Sequence, residues 1–130
     1  YLTQERMIRF AQQQGLAVSV FSPLGATSYL ELEMADEQDL VLNHPTICDI
    51  AGETLKTPAQ VVLRWAAQRQ TSVIVKSVQA HRMRENLAIT DFELSKEQMD
   101  RISRLNQNRR FNDPGAFCEA AFNTFHPIYD

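Results

Sequence analysis

The sequence predicts an α/β fold built on parallel strands, and two observations carry that prediction. Two short runs rich in β-branched residues, Leu16–Phe21 and Val73-Ile74-Val75, are each bounded by polar or turn-forming residues. Runs of that length read as buried strands rather than helices. Around them lie stretches in which apolar residues recur at helical spacing, and strands alternating with helices are the signature of a parallel sheet. Strands in such a sheet are covered on both faces and are therefore expected to be fully buried.

The elements follow in order. Over Thr3–Gln14, Met7, Phe10, Ala11 and Gln14 keep helical spacing with Ile8 beside them. Thr3 is the expected N-cap and Gly15 the expected C′ glycine. Leu16–Phe21 is the first strand, and Ser22-Pro23-Leu24-Gly25 breaks it. The segment Thr27–Asn43 carries Glu31, Glu33, Asp36, Glu37 and Asp39 without a single basic residue. Its spacing fits no calcium loop, so a solvated loop with outward carboxylates is expected. Pro45–Lys56 reads as a helix with Pro45 in its first turn and Ile47, Ile50, Ala51 and Leu55 as its buried stripe. Thr57-Pro58-Ala59-Gln60 has the form of a capping box and opens a helix over Pro58–Arg69, with Val61, Val62, Trp65 and Ala66 on its apolar face. Trp65 is expected to pack in the core.

The run Val73–Val75 is the second strand, followed by Lys76-Ser77 and a helix over Gln79–Leu87 carrying Arg82, Glu85 and Asn86. A strand end running into a helix N-terminus presents free N–H groups and the positive end of a dipole to an anion. A lysine, a hydroxyl and an arginine there make a phosphate clamp. Beyond Asp91–Leu94, Ser95-Lys96-Glu97-Gln98 caps a further helix with Met99, Ile102 and Leu105 facing inward. Periodicity ends at Asn106. Arg109–Gly115 reads as a turn-rich linker, and Ala116–Asp130 as a tail with Phe117, Phe122, Phe125 and Tyr129.

Composition narrows the classes. Apolar content of 44%, charged content of 22% and a formal net charge of -3 fit a globular chain and exclude a broadly basic nucleic-acid surface. No apolar run has the length of a membrane span. Cys48 and Cys118 have no metal-ligand spacing and read as free thiols of a cytoplasmic protein. The chain starts at Tyr1 rather than methionine, so an upstream portion is expected.

The pattern Lys76-Ser77-x4-Arg82-x2-Glu85-Asn86, followed by Asp91-Phe92-Glu93-Leu94, resembles the C-terminal signature of the aldo-keto reductases. Tyr1-Leu2-x-Gln4 with Phe21-Ser22-Pro23-Leu24-Gly25 is a second similar stretch. The resemblance implies that Lys76, Ser77 and Arg82 hold the 2′-phosphate of NADPH, with a backbone contact from Val78, and that Glu85 and Asn86 take the adenine. It implies that Phe21 stacks on the nicotinamide, where the family more often has tyrosine. Ser22, Leu24 and their loop would lie across the pyrophosphate. Two positions depart from the family: Val75 replaces the usual proline before the lysine, and His81 the usual glutamate before the arginine. Arg110-Phe111-Asn112-Asp113-Pro114 resembles the xylose-reductase branch, which would place Asn112 on the hydroxyls of a sugar. That branch continues with tryptophans, whereas Gly115-Ala116-Phe117 stands here.

The family fold implied is a (β/α)8 TIM barrel, of which this chain would supply the C-terminal part: the last two strand-helix units and accessory helices over residues 1–106, then a substrate-covering tail over 107–130. Two strands cannot close an eight-stranded barrel, so the missing N-terminal part of the barrel is an expected partner. The activity implied is hydride transfer from NADPH, with NADH as a further possible donor, to an aldose or small aldehyde or ketone. The family's catalytic tyrosine, lysine, aspartate and histidine lie in its N-terminal part, and no position here matches them. His44, His81, His126, Tyr1 and Tyr129 are not substitutes. No metal, nucleic acid or membrane partner is expected. Two other readings remain open at this stage: a binding protein of the same fold without turnover, like the β-subunits of potassium channels, and a truncated nucleotide-binding or interaction module.

Overall fold

The computed structural model describes residues 2–25, 27–30, 35–111, 115, 119, 121 and 123, with the backbone alone at 27 and 28. In chain order these form α1 (Glu5–Gln13), β1 (Ser19–Phe21), the short α2 (Thr27–Leu30), two 3-10 turns (Glu37–Asp39 and Val41–Asn43), α3 (Pro45–Thr54), α4 (Pro58–Gln68), β2 (Ser72–Ile74), α5 (Ala80–Leu87), a 3-10 turn (Ala88–Thr90) and α6 (Lys96–Ser103). The strands pair in parallel, Ser19 opposite Ser72, Val20 opposite Val73 and Phe21 opposite Ile74. The predicted α/β alternation with a parallel pair is therefore present.

The core lies where α3, α4 and α6 meet. Ile47, Ile50, Val61 and Leu63 are completely buried, and Ala51, Val62, Leu94 and Ile102 nearly so. Trp65, Met99 and Leu105 pack against this cluster. Both predicted capping boxes form. Gln60 N–H donates to Thr57 Oγ1 at 3.2 Å and Gln98 N–H to Ser95 Oγ at 3.2 Å. The reciprocal bonds run from Thr57 N–H to Gln60 Oε1 and from Ser95 N–H to Gln98 Oε1. Each box satisfies first-turn amides that a helix cannot satisfy by itself, which fixes where α4 and α6 begin.

Gly15 ends the region of α1 as predicted, at φ 71°. Arg69 holds the start of α1. Its Nη2 donates to Thr3 O and to Glu5 Oε2, each at 2.7 Å, while its guanidinium lies 4.3 Å over the Trp65 ring. Gln12 Nε2 ties the other end of α1 to Arg69 O at 2.8 Å.

Several expectations need correction. The strands are shorter than the apolar runs, and in each the outer two residues are exposed around one half-buried residue. Ile74 is 61% and Phe21 68% exposed; only Val20 and Val73 turn toward cover. A two-stranded sheet offers too little neighbouring structure to bury both faces. Thr3 is not the N-cap of α1: Gln4 holds that position at φ 51°, with no side-chain capping bond, and Thr3 N–H instead donates to Asn106 Oδ1. On α1 Ile8 is buried, whereas Met7 and Phe10 are exposed. Leu55 leaves the α3 stripe because the helix stops one residue earlier; it caps α3 at φ 54° and is 89% exposed.

Asp39 is the clearest reversal. It is 7% exposed rather than outward-facing. Its Oδ1 accepts from Arg109 Nη1 and its Oδ2 from Asp36 N–H. A buried carboxylate requires such partners, and Arg109 comes from a segment 70 residues away. Arg109 in turn lies 4.7 Å over the Phe111 ring, which stacks with Tyr29 of α2 at 6.0 Å. The expectations for Tyr1, Glu31, Glu33, Asn112, Phe117, Cys118, Phe122, Phe125, His126 and Tyr129 lie outside the described residues.

Candidate functional site

The turn after β1 separates two clefts. Gly25 N–H closes it on Ser22 O at 3.1 Å, with Ser22 at φ 48° and Gly25 at φ 84°. A side chain at Gly25 would place its Cβ 2.9 Å from Val41 Cγ1, so glycine is required both by conformation and by the close approach of the following segment.

On one side lies a cleft of about 580 Å³ lined by Leu24, Lys76, Ser77, Val78, Arg82, Glu85 and Asn86, together with Leu42, Asn43, Gln79 and the α4 first turn, Thr57-Pro58-Ala59. Seven of the nine predicted cofactor residues are thus gathered in one place. Lys76 and Ser77 reach it because β2 ends just before them, and Arg82, Glu85 and Asn86 because they share α5. The N-terminal ends of both α4 and α5 open on this cleft. Their aligned peptide dipoles add positive potential to that of Lys76 and Arg82. Gln79, the N-cap of α5, makes no side-chain capping bond. Its N–H instead donates to Ser77 Oγ at 3.1 Å, which fixes the Ser77 hydroxyl beside the helix start. Lys76 and Arg82 are exposed, while Glu85 and Asn86 are half-buried.

Phe21 and Ser22 fall on the other side. They line a mainly apolar cleft of about 520 Å³ that includes Met7, Val20, Trp65, Ile102 and Phe111. The flat face of Phe21 is open, at 68% exposure. The Ser22–Gly25 turn is the wall between the clefts, with Pro23 on one and Leu24 on the other.

Sequence reasoning missed Gln60. Read as half of a capping box, it also donates from Nε2 to Glu85 O at 3.1 Å, joining α4 to the helix that carries Arg82, Glu85 and Asn86. The Thr-x-x-Gln spacing shows the cap, but a bond to a residue 25 positions on leaves no local signal. Among the described residues no group of histidine, cysteine, aspartate and glutamate side chains could hold a metal ion, and no helix is long and apolar enough to cross a membrane. Cys48 is a free, exposed thiol.

The chemistry of this cleft, two cations and a hydroxyl at converging helix N-termini, suits a phosphate on a larger ligand, and its volume lies within the range of small-molecule sites. Comparison with known proteins bears on which ligand. A probable NAD(P)H-dependent D-xylose reductase of Aspergillus clavatus is 44% identical over 99% of this chain and 42% of its own length. A protein of the same description from Emericella nidulans is 47% identical over 88% of this chain and 36% of its own. The chain thus spans less than half the length of these relatives. Among solved structures, the aldose reductase of Schistosoma japonicum superposes with a TM-score of 0.69 at 33% identity, over 84% of this chain and 32% of that one. An aldo-keto reductase from a Medee basin deep-sea metagenome library has a TM-score of 0.71 at 24% identity, over 84% and 37%, and shares the fold. The profile of the Aldo/keto reductase family matches residues 1–107, and the chain belongs to that family.

Proposed function

We propose that this chain is the cofactor-binding C-terminal part of a longer, cytoplasmic aldo-keto reductase that reduces an aldose or a small aldehyde or ketone to the alcohol. The observation that carries the reading is the cleft between α4 and α5, where Lys76, Ser77 and Arg82 stand together at the N-terminus of α5. NADPH supplies the hydride when bound. In this chain Lys76, Ser77 and Arg82 hold its 2′-phosphate, with a backbone contact at Val78, and Glu85 and Asn86 take the adenine. The Ser22–Gly25 turn, with Leu24 on the adenosine side, lies under the pyrophosphate. That arrangement delivers the nicotinamide to Phe21 in the second, more apolar cleft, where the exposed ring offers a stacking face.

The 2′-phosphate ligands favour NADPH; NADH binds the same groove without them, in keeping with relatives described as NAD(P)H-dependent. Residues 1–106 supply the last strand-helix units of a (β/α)8 barrel, and 107–130 the cover over the substrate, with Asn112 on a sugar hydroxyl. The missing N-terminal part of the barrel brings the proton-donating tyrosine and pairs the open strand edges, which an isolated parallel pair leaves unsatisfied. Relatives described as D-xylose reductases point to an aldose as substrate.

The test is NADPH oxidation by the full-length protein with D-xylose and with small aldehydes. Turnover dependent on the carbonyl compound supports the reading. NADPH binding without turnover would favour a binding protein of the same fold, and absence of NADPH binding would overturn the cofactor assignment.

A further inference from the structure

α5 has no apolar anchor of its own. None of its residues is buried, and Met83 and Leu87 are 43% and 78% exposed. Its placement therefore depends on polar ties to its neighbours. Gln60 on α4 is 7% exposed, and its side-chain amide is used at both ends. Oε1 accepts from Thr57 N–H at 3.1 Å, closing the α4 cap. Nε2 donates to Glu85 O at 3.1 Å. Glu85 lies in the last turn of α5, where backbone carbonyls begin to run out of intrahelical donors, and Gln60 supplies this one with a side-chain donor. A buried amide pinned at its own oxygen has little freedom to follow a moving helix.

We propose that Gln60 is a positioning residue for the adenosine end of the cofactor. By holding Glu85 O it sets the height of α5 against α4, and with it the presentation of Arg82, Glu85 and Asn86 to the cleft that Thr57, Pro58 and Ala59 also line. Gln60 touches no ligand itself. The inference rests on the cofactor reading above, and the experiment separates the two.

Gln60→Glu keeps the capping acceptor, since glutamate serves a capping box as well as glutamine does. It removes the donor and sets an oxygen against Glu85 O. Ser95→Ala removes the capping hydroxyl of α6, outside the cleft, and controls for a loss of stability that leaves the Glu85 bond in place. Both are made in the full-length protein, and binding of adenosine 2′,5′-bisphosphate is measured by titration calorimetry alongside thermal unfolding. The expected result is a Kd for the bisphosphate raised about tenfold in Gln60→Glu, the effect of one lost hydrogen bond, with Ser95→Ala unchanged in Kd although lower in Tm. The KM for the carbonyl substrate should stay the same in both. Should Gln60→Glu fail to fold, Gln60→Met, which buries no charge but gives up the capping acceptor as well as the donor, is compared with Ser95→Ala, which reports the effect of losing a helix cap alone. Unchanged bisphosphate affinity in the Gln60 variant, or an equal loss in Ser95→Ala, overturns the positioning role. Failure of the wild-type protein to bind the bisphosphate overturns instead the cofactor reading beneath it.

Discussion

Replacing Arg82 by alanine separates a phosphate ligand from a merely solvated charge. Arg82 sits in the first turn of α5, on the cleft that Lys76 and Ser77 also line. A hydrogen bond to a charged group contributes about 1.5–3 kcal/mol. Arg82 is exposed, and at such a site water and salt screen the interaction. The low end of that range therefore applies, about 1.5 kcal/mol, or roughly tenfold in Kd. Lys76 and the helix N-terminus remain in the variant, so binding weakens rather than disappears. The assay is fluorescence titration of the full-length protein and of Arg82→Ala with NADPH and, in parallel, NADH. NADH lacks the 2′-phosphate, so its affinity should not change, and the NADPH loss should shrink as salt is raised. An equal loss for both cofactors would mean that the substitution disturbs α5 as a whole. No loss for NADPH would remove Arg82 from the site.

Three further outcomes follow from the geometry. Glu53 accepts from Gln98 Nε2 and from Arg101 Nη1 at 2.6 Å, and these bonds, Gln98 first, hold its carboxyl below the usual glutamate range. A depressed carboxyl contributes stability above its unfolded pKa and loses it as pH falls through the folded value. Glu53→Gln should therefore lower Tm at neutral pH, with the difference from wild type narrowing in acid; a difference that widens in acid would contradict the assignment. Ile50→Ala empties a completely buried position in the core and should cost about 2–5 kcal/mol by denaturant titration, whereas Leu55→Ala, at 89% exposure, should change stability little. Asp39→Asn weakens the tie of a buried carboxylate to Arg109 and should cost about 1.5–3 kcal/mol; the loss should vanish when tested in an Arg109→Ala background, and persistence there would show that Asp39 acts through its Asp36 contact alone.

How far the sequence could be read depended on how local each signal was. Thr57-x-x-Gln60 and Ser95-x-x-Gln98 announce α4 and α6 because a capping box is closed within four residues, and both form. Gly15 marks the end of α1 for a similar reason, its positive φ being a property of one residue. The clustering of Lys76, Ser77, Arg82, Glu85 and Asn86 was legible because a strand end and one helix place them together. Three other features depend on distant partners. Asp39 looks like a solvated carboxylate until Arg109 arrives. Gln60 looks like a cap until Glu85 O is found against it. The strands look fully buried because a β-branched run carries no record of how many neighbours it has, and here each has one. Leu55 fails differently: helical spacing was carried one residue past the end of α3, onto the position where the backbone turns left-handed.

The most direct test of the central claim is a crystal structure of the full-length protein with NADP+. It should show the 2′-phosphate within hydrogen-bond distance of Lys76, Ser77 and Arg82, and the nicotinamide stacked on Phe21 across the Ser22–Gly25 turn. A cofactor bound elsewhere, or one whose adenosine lies outside the cleft between α4 and α5, would contradict it.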